Sequence, residues 1–398
     1  EFLIHKMMDN DKMIAAMKFL RLLNFYAFFS KQEHLFFIIN QMMNLTLTYG
    51  LCRESCTALA NLSFILCEFG DFKASEHIGQ LAMVLLKKFK AQECLPQVYL
   101  AIFSGVQSWT KIPRRCLEPI LHGYEVAMQT GDVHHAMTCA YTYGMSSFVV
   151  GQSLASLERE LNAFGKQMDE YKQAMVSQYS GVLRQVVANL VHSKHDLPLL
   201  ASQTAEQNDL LAEGLKNKET LLLTHFYLFA GIEAYIFGEY KLAADMVEKR
   251  QAAEKHMSYR FKLNGATAFY DGLIFLAVAR ISRDFKWSFG ASNAISRLEK
   301  HVQVGKFNCE HKLLLLQAES ESMIDYNDDI LKKYELAINT AAKNEYINEQ
   351  AIASERAADF LLRNGDSRAS HYYGKAHSLY LHWGAQGKTD HLCKNIPF

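Results

Sequence analysis

The pattern nearest to a reaction centre is Gly384-Ala385-Gln386-Gly387-Lys388-Thr389, which ends in Gly-Lys-Thr as a phosphate-binding loop does. Such a loop cradles phosphates with backbone N–H groups. It needs another glycine five residues before the last one, and a strand ahead of it. His382 holds that place, and the stretch ending at Trp383 reads as helix. A helix C-cap followed by a turn is therefore expected. His192 and His195 stand three apart in a loop-like stretch, and His134 and His135 are adjacent. Neither pair has cysteines or carboxylates at the spacing that completes a tetrahedral metal site, so solvated or turn-capping histidines are expected. Cys52 and Cys56 lie one helical turn apart without a second pair, which favours core packing. Glu319 with Glu321, and Asp328 with Asp329, are of a type suited to acid–base work. No apolar run encloses them, and exposed helix-face charges are expected. No Gly-x-Ser-x-Gly, His-Glu-x-x-His or kinase-type pattern occurs.

The elements that position these residues read as helices. Four turns share a pattern: Gly70-Asp71-Phe72, Gly131-Asp132-Val133, Gly238-Glu239-Tyr240 and Gly365-Asp366-Ser367. The glycine ends one helix in a left-handed cap, and the acidic residue favours the N-terminus of the next. A small residue follows four or five positions after the glycine (Ala74 and Ser75, Ala136, Ala243, Ala369 and Ser370), where it allows close helix packing. Apolar stripes at helical period flank the turns, such as Ala58-Leu62-Ile65-Phe69 and Ala353-Ala357-Phe360-Leu361. These are helix-hairpin repeats of uneven pitch, roughly 34 to 45 residues. An unmarked hairpin is expected over Leu154–Tyr179 and Val182–Val191, and Tyr326-Asn327-Asp328-Asp329 reads as a turn without its glycine. His192–Pro198 reads as a loop, and Lys111-Ile112-Pro113 with Pro119 mark another.

Composition agrees. The chain has 398 residues but only 5 Pro, with many good helix formers. Lys plus Arg and Asp plus Glu both number 42, which disfavours a nucleic-acid groove or a polybasic membrane patch. No apolar run reaches the roughly 18 residues of a membrane helix. The 8 Cys show no C-x-x-C pair, which points to a reducing, cytoplasmic setting. No Gly/Ser linker breaks the chain, so residues 1–398 are expected to form one continuous array, with degenerate repeats over 1–190 and clearer ones over 199–398. The chain opens on Glu1 inside apparent helix, and a segment of a longer polypeptide is expected.

The segment 307–397 carries the most specific pattern. It holds Phe307-Asn308, His311-Lys312 and Ala318-Glu319, then Tyr334 with Ala337 and Ile338, and closes on Tyr380-x-x-Trp383-Gly384-Ala385-x-x-Lys388. Asn348-Glu349-Gln350-Ala351 fits the start of the penultimate repeat. This segment resembles the TPR-like helical region that follows the AAA/STAND-type ATPase module in large multidomain signalling proteins, including kinase–ATPase–sensor histidine kinase fusions and hybrid sensor kinases. The resemblance implies an ATPase before this region and an output domain, such as a histidine kinase, after it.

The expected fold is all-α: a TPR-like α-solenoid of antiparallel hairpins in a right-handed superhelix. The expected function is a non-catalytic sensor or scaffold, without catalytic residues, cofactor or metal. It would bind a protein or peptide on its concave face and signal to flanking domains in cis, without nucleic-acid binding or membrane insertion. The alternatives are a stand-alone peptide-binding adaptor and an all-helical enzyme. A terpenoid-type synthase would want Asp-Asp-x-x-Asp, and Asp328-Asp329-Ile330-Leu331-Lys332 lacks the third aspartate.

Overall fold

The structure, a computed structural model, describes residues 6–30, 32–192, 212, 214, 216, 219–255, 257, 263–282 and 284–396. His195, Pro198 and Pro397 lie outside the described residues. Among those described there is no β-strand, and the extended pairing is an isolated parallel bridge between Met7 and Leu51. Where the connections are described, helices follow one another through short turns, and many sequential neighbours pack together as hairpins. The fold is an all-α helical-repeat solenoid.

Two compact units make up the chain. The first holds α1 (Asp11–Ser30), α2 (Leu35–Tyr49), α3 (Ser55–Glu68), α4 (Phe72–Phe89), α5 (Leu95–Tyr99), a π-helical stretch (Leu100–Val106), α6 (Gln107–Thr110), α7 (Arg114–Thr130) and the start of α8 (Val133–Val149). Its core has two parts. Met17, Ala27, Ile39, Met42 and Ala58 join α1, α2 and α3. Cys56, Leu59, Leu85, Val98 and Ile102 join α3, α4 and the helix after them. Pro119 falls inside α7 and not in the expected loop. Its missing N–H costs the helix the hydrogen bond to the Arg115 carbonyl.

The second unit holds the rest of α8 and α9 (Leu154–Glu170), most of α10 (Ala174–Val191), α11 (Thr220–Ile236), α12 (Tyr240–Glu254), α13 (Ala266–Ser282), α14 (Phe285–Val302), α15 (Lys306–Glu321), α16 (Asp328–Lys343), α17 (Ile347–Arg363), α18 (Ala369–Trp383) and α19 (Gln386–Asn395). The unmarked hairpin is present as α9 and α10. Its helix boundary comes earlier than expected, because α9 stops at Glu170 and Lys172 supplies the left-handed turn residue (φ 55°). The last helices return to the first ones of this unit. Trp383 Nε1 donates to the Gln152 carbonyl at 3.1 Å, and Asn348 Nδ2 donates to the Val149 carbonyl at 3.3 Å.

The glycines of the repeat turns behave as their sequence predicts, whereas Glu239 makes no side-chain cap and Asp366 lies ahead of the N-cap, Arg368. Gly70, Gly131, Gly238 and Gly365 all have φ between 69° and 88°, a region that L side chains rarely adopt. Asp71 caps α4 by accepting from Ala74 N at 3.1 Å. Asn327 does the same for α16, accepting from Ile330 N at 3.0 Å, so the turn without a glycine is a capped helix start. Ser75, Ala136, Ala243 and Ala369 are buried at the following helix contacts.

Polar contacts between hairpins recur at one sequence interval. In the first unit, Thr57 reaches Gln97 and Gln97 reaches His135, 40 and 38 residues on. In the second unit, Arg280 reaches Glu319, His311 reaches Glu349 and Tyr326 reaches Asp366, at 39, 38 and 40. This is the repeat length: equivalent helices of successive hairpins lie side by side, so equivalent positions face each other.

Candidate functional site

The first helices of the hairpins in the second unit are unusually buried. α11 and residues Ala266–Ala279 of α13 are covered on almost every face. A helix apolar all round belongs inside a protein, yet these helices and their neighbours bring ionisable side chains in with them. A buried charge is costly unless it is paired and hydrogen-bonded, and the groups here form four clusters.

The first cluster joins α15 to α17. Asn308, His311, Lys312 and Glu319 fall on the inward stripe of α15 together with Leu315. His311 Nε2 lies 2.5 Å from Glu349 Oε2, and Lys312 Nζ lies 3.0 Å from the same oxygen. Lys312 Nζ also donates to the Asn308 carbonyl at 2.5 Å and lies over the Tyr346 ring, 4.2 Å from its centre. Tyr346 OH donates to Asn308 Oδ1 at 3.2 Å. Burial, helped by Lys312, pushes the His311 imidazole down, so it is neutral and gives its Nε2–H to Glu349. Burial pushes the Glu349 carboxyl up, but Lys312 and His311 outweigh it and hold it below the usual range.

The second cluster joins α13, α15 and α16. Arg280 Nη1 donates to Glu319 Oε2 at 2.9 Å, its Nη2 donates to Ser322 Oγ at 2.8 Å, and Tyr334 OH donates to Glu319 Oε1 at 2.6 Å. Burial raises the Glu319 carboxyl, but Arg280, Arg356 and Arg363 bring it down. Glu319 is thus a buried ion-pair member, not the exposed helix-face charge its sequence suggests. The reason is its place on the inward stripe of α15, opposite an arginine one repeat earlier. Glu321 is partly exposed and pairs with Lys333. Asp328 and Asp329 are exposed as expected, paired with Arg368 and Lys332.

The third cluster joins α12, α17, α18 and α19. Lys388 Nζ donates to Glu355 Oε1 at 2.7 Å, and Tyr380 OH donates to Glu355 Oε2 at 2.6 Å. Arg356 reaches Tyr240 OH at 2.6 Å and Asp359 at 2.8 Å, and Tyr373 OH also bonds Asp359. Burial raises the Glu355 carboxyl, and Lys388 and Arg356 overcome it. In the fourth cluster Arg250 bridges Glu254 and Asp271 at 2.6 Å each, and Arg297 pairs with Asp271 at 3.0 Å. In every cluster the anions and the Lys or Arg cations balance.

The Gly-Lys-Thr segment is explained by this third cluster. Gly384 caps α18 at φ 93°, as expected, but a helix and not a simple turn follows it. Lys388 points at Glu355. Gly387 presses on the end of α10, where an added Cβ would lie 2.6 Å from the Asn189 carbonyl oxygen and 2.7 Å from that of His192. Carbonyl oxygens thus face this helix start where a phosphate would need to sit.

The other patterned residues are equally placed. Ala318, Ala337, Ile338, Tyr334, Tyr380, Trp383 and Ala385 are buried, while Phe307 is exposed. His135 is buried and not solvated. Its Nδ1 lies 2.8 Å from the Asp132 carboxylate, and its Nε2 lies 2.7 Å from Gln97 Nε2. His192 pairs with Glu158 at 2.8 Å. Cys52 and Cys56 belong to different core clusters. Sequence reasoning missed Arg250, Asp271, Arg280, Glu355 and Arg356. Their signal was charge at inward helical positions, repeated near the 38-residue interval. No protein-family model matches the chain, and comparison with curated proteins finds no significant relative.

Proposed function

We propose that this chain is a non-catalytic helical-repeat scaffold that binds a protein partner and transmits that binding to attached domains. The supporting observation is the balance of the buried clusters. Several buried charges inside the second unit are matched on another helix of the stack, Lys312 by Glu349, Arg280 by Glu319, Lys388 by Glu355 and Arg250 by Asp271, which fixes register between hairpins. A reaction centre instead keeps a titratable group poised for an incoming substrate. Small rotations between repeats are the natural response of such a stack, so a partner that prefers one curvature biases whatever is joined to it.

The narrower reading, a region of a signalling ATPase with an output domain, is supported by the pattern from Phe307 to Lys388. It fails if the gene's reading frame contains no phosphate-binding loop. A further narrowing concerns the binding surface. The first helices of the second unit are filled in, so the outer faces of hairpins are the better surface for a partner than a concave groove. The scaffold reading is tested by crosslinking captured partners to the intact chain, alongside a turnover screen with nucleotides, esters and peptides. Saturable partners crosslinked to exposed helix faces support it. Reproducible turnover of any of these substrates by the purified intact chain overturns it.

A further inference from the structure

Helix α10 carries a single charged side chain, Arg184. The residue is half-buried, and its Nε is shielded from solvent without an acceptor. The other described arginines that are out of full solvent all have acceptors. Arg21 donates to the Glu93 carbonyl, and Arg250, Arg280 and Arg356 pair with carboxylates. Among the described residues none plays that part for Arg184. Two acids of the facing helix α9 are engaged elsewhere: Asp169 accepts from Ser177 Oγ at 2.8 Å, and Glu158 pairs with His192 at 2.8 Å. Two glycines clear the space around the guanidinium, both inside helices, where glycine is disfavoured. At Gly165 of α9 an added Cβ would lie 2.2 Å from Arg184 Nη1 and 2.7 Å from Cζ, so the guanidinium rests on the bare α9 backbone. At Gly181 of α10 an added Cβ would meet one neighbour within 4 Å, Arg184 Nη2 at 3.8 Å. Nη2 therefore borders a shelf that no other side chain fills. Ser180, buried and one helical turn before Arg184, adds a hydroxyl without a partner.

We infer that Arg184 and the shelf over Gly181 form a docking point for a carboxylate of a protein partner, the side chain of an aspartate or glutamate. The inference rests on the scaffold reading and names a contact residue and the partner's chemistry. A guanidinium presents its N–H donors in a planar fork, which a carboxylate meets with both oxygens. Partial burial against Gly165 makes such a bond stronger than on an open surface, and arginines are frequent anchors of interfaces. One fork suits a monoanion. A phosphate dianion on the same hairpin as Asp169 would want further cations. The shelf is also shallow, so a free small acid would be held at one end only. A partner can supply the remaining contact along the α9 and α10 faces.

The probe is N-acetyl-glutamate N-methylamide, which offers the side-chain carboxylate alone, titrated into the intact chain at constant ionic strength. Binding is read from the Arg184 Nε–Hε NMR signal, assigned by its loss in Arg184→Lys. A saturable shift at millimolar probe is expected, and the glutamine analogue should leave the signal in place. Gly181→Leu fills the shelf and favours helix. It should weaken binding about fivefold or more without lowering the melting temperature. Partners crosslinked to the wild-type chain should be lost from Arg184→Gln at unchanged melting. Four results overturn the inference: the signal ignores the glutamate analogue; Gly181→Leu binds it as the wild type does; inorganic phosphate binds about tenfold more tightly than the carboxylate; or Arg184→Gln keeps every crosslinked partner. The last of these leaves the scaffold reading standing. Enzymatic turnover removes that reading whatever Arg184 binds.

Discussion

His311 Nε2 sits 2.5 Å from Glu349 Oε2, one repeat further along the chain, with Lys312 Nζ 3.0 Å from the same oxygen. All three side chains are buried, so the Lys312 charge is matched by Glu349 and by little else. Removing one member strands the other. Lys312→Met or Glu349→Gln should each destabilise the second unit by about 3–5 kcal/mol, and Lys312→Met/Glu349→Gln should cost less than the two single changes added together. Urea unfolding of the two single variants and the double variant measures the coupling; additive losses would show that the pair does not act as a unit.

Stability should fall with acid in two stages. Burial pushes the His225 imidazole down to about 4, against a hydrogen bond to the Leu221 carbonyl, and His311 moves the same way. The folded state therefore refuses a proton that the unfolded chain takes up near its ordinary value of about 6.5. As pH drops from there towards 4, His225 alone removes on the order of 3 kcal/mol. Glu319, Glu349 and Glu355 are held below the usual carboxylate range, so their contribution is complete above that range and is lost only as pH falls through their folded values. Melting temperatures recorded across this range should show an early decline that His225→Phe flattens.

The sequence made the turns legible and the ion clusters illegible, for a physical reason. A left-handed cap almost demands glycine, so Gly70, Gly131, Gly238 and Gly365 announced their turns locally. Tyr334, Tyr380 and Trp383 were readable as core because aromatic period reports which face is buried. Period does not report which distant residue lies opposite. Glu319 and Lys388 are ordinary surface types, and partners such as Arg280 and Glu355, 39 and 33 residues away, make their burial tolerable. Lys388 accordingly stood out as part of a phosphate-loop decoy, not as a partner of Glu355.

Two glycines at helix boundaries should respond very differently to alanine. At Gly387 the new Cβ would meet backbone carbonyl oxygens of Asn189 and His192, which cannot swing aside as a side chain would. Gly387→Ala should cost on the order of 3 kcal/mol. At Gly365 nothing lies within 4 Å, and only φ of 69° is strained, so Gly365→Ala should cost about 1 kcal/mol. Chemical denaturation of both variants tests the contrast, and equal losses would argue against the close seat of α19 on α10.

Thiol chemistry should single out one cysteine. Cys393 is exposed and the other seven are buried. Burial pushes the Cys309 and Cys116 thiols up to about 11, which suppresses the reactive thiolate. A thiol reagent should label Cys393 in the folded protein and the rest only after unfolding, as read by peptide mass spectrometry. Fast labelling of Cys309 would contradict the packing described around α15.

The central claim is that the buried ions hold successive hairpins in register. Amide hydrogen exchange on the intact chain carrying Glu349→Gln tests it most directly. Protection should drop together in Lys306–Glu321 and Ile347–Arg363, while Ser55–Glu68 and Phe72–Phe89 in the first unit stay as in the unmodified protein. Unchanged protection of both second-unit helices would contradict the account.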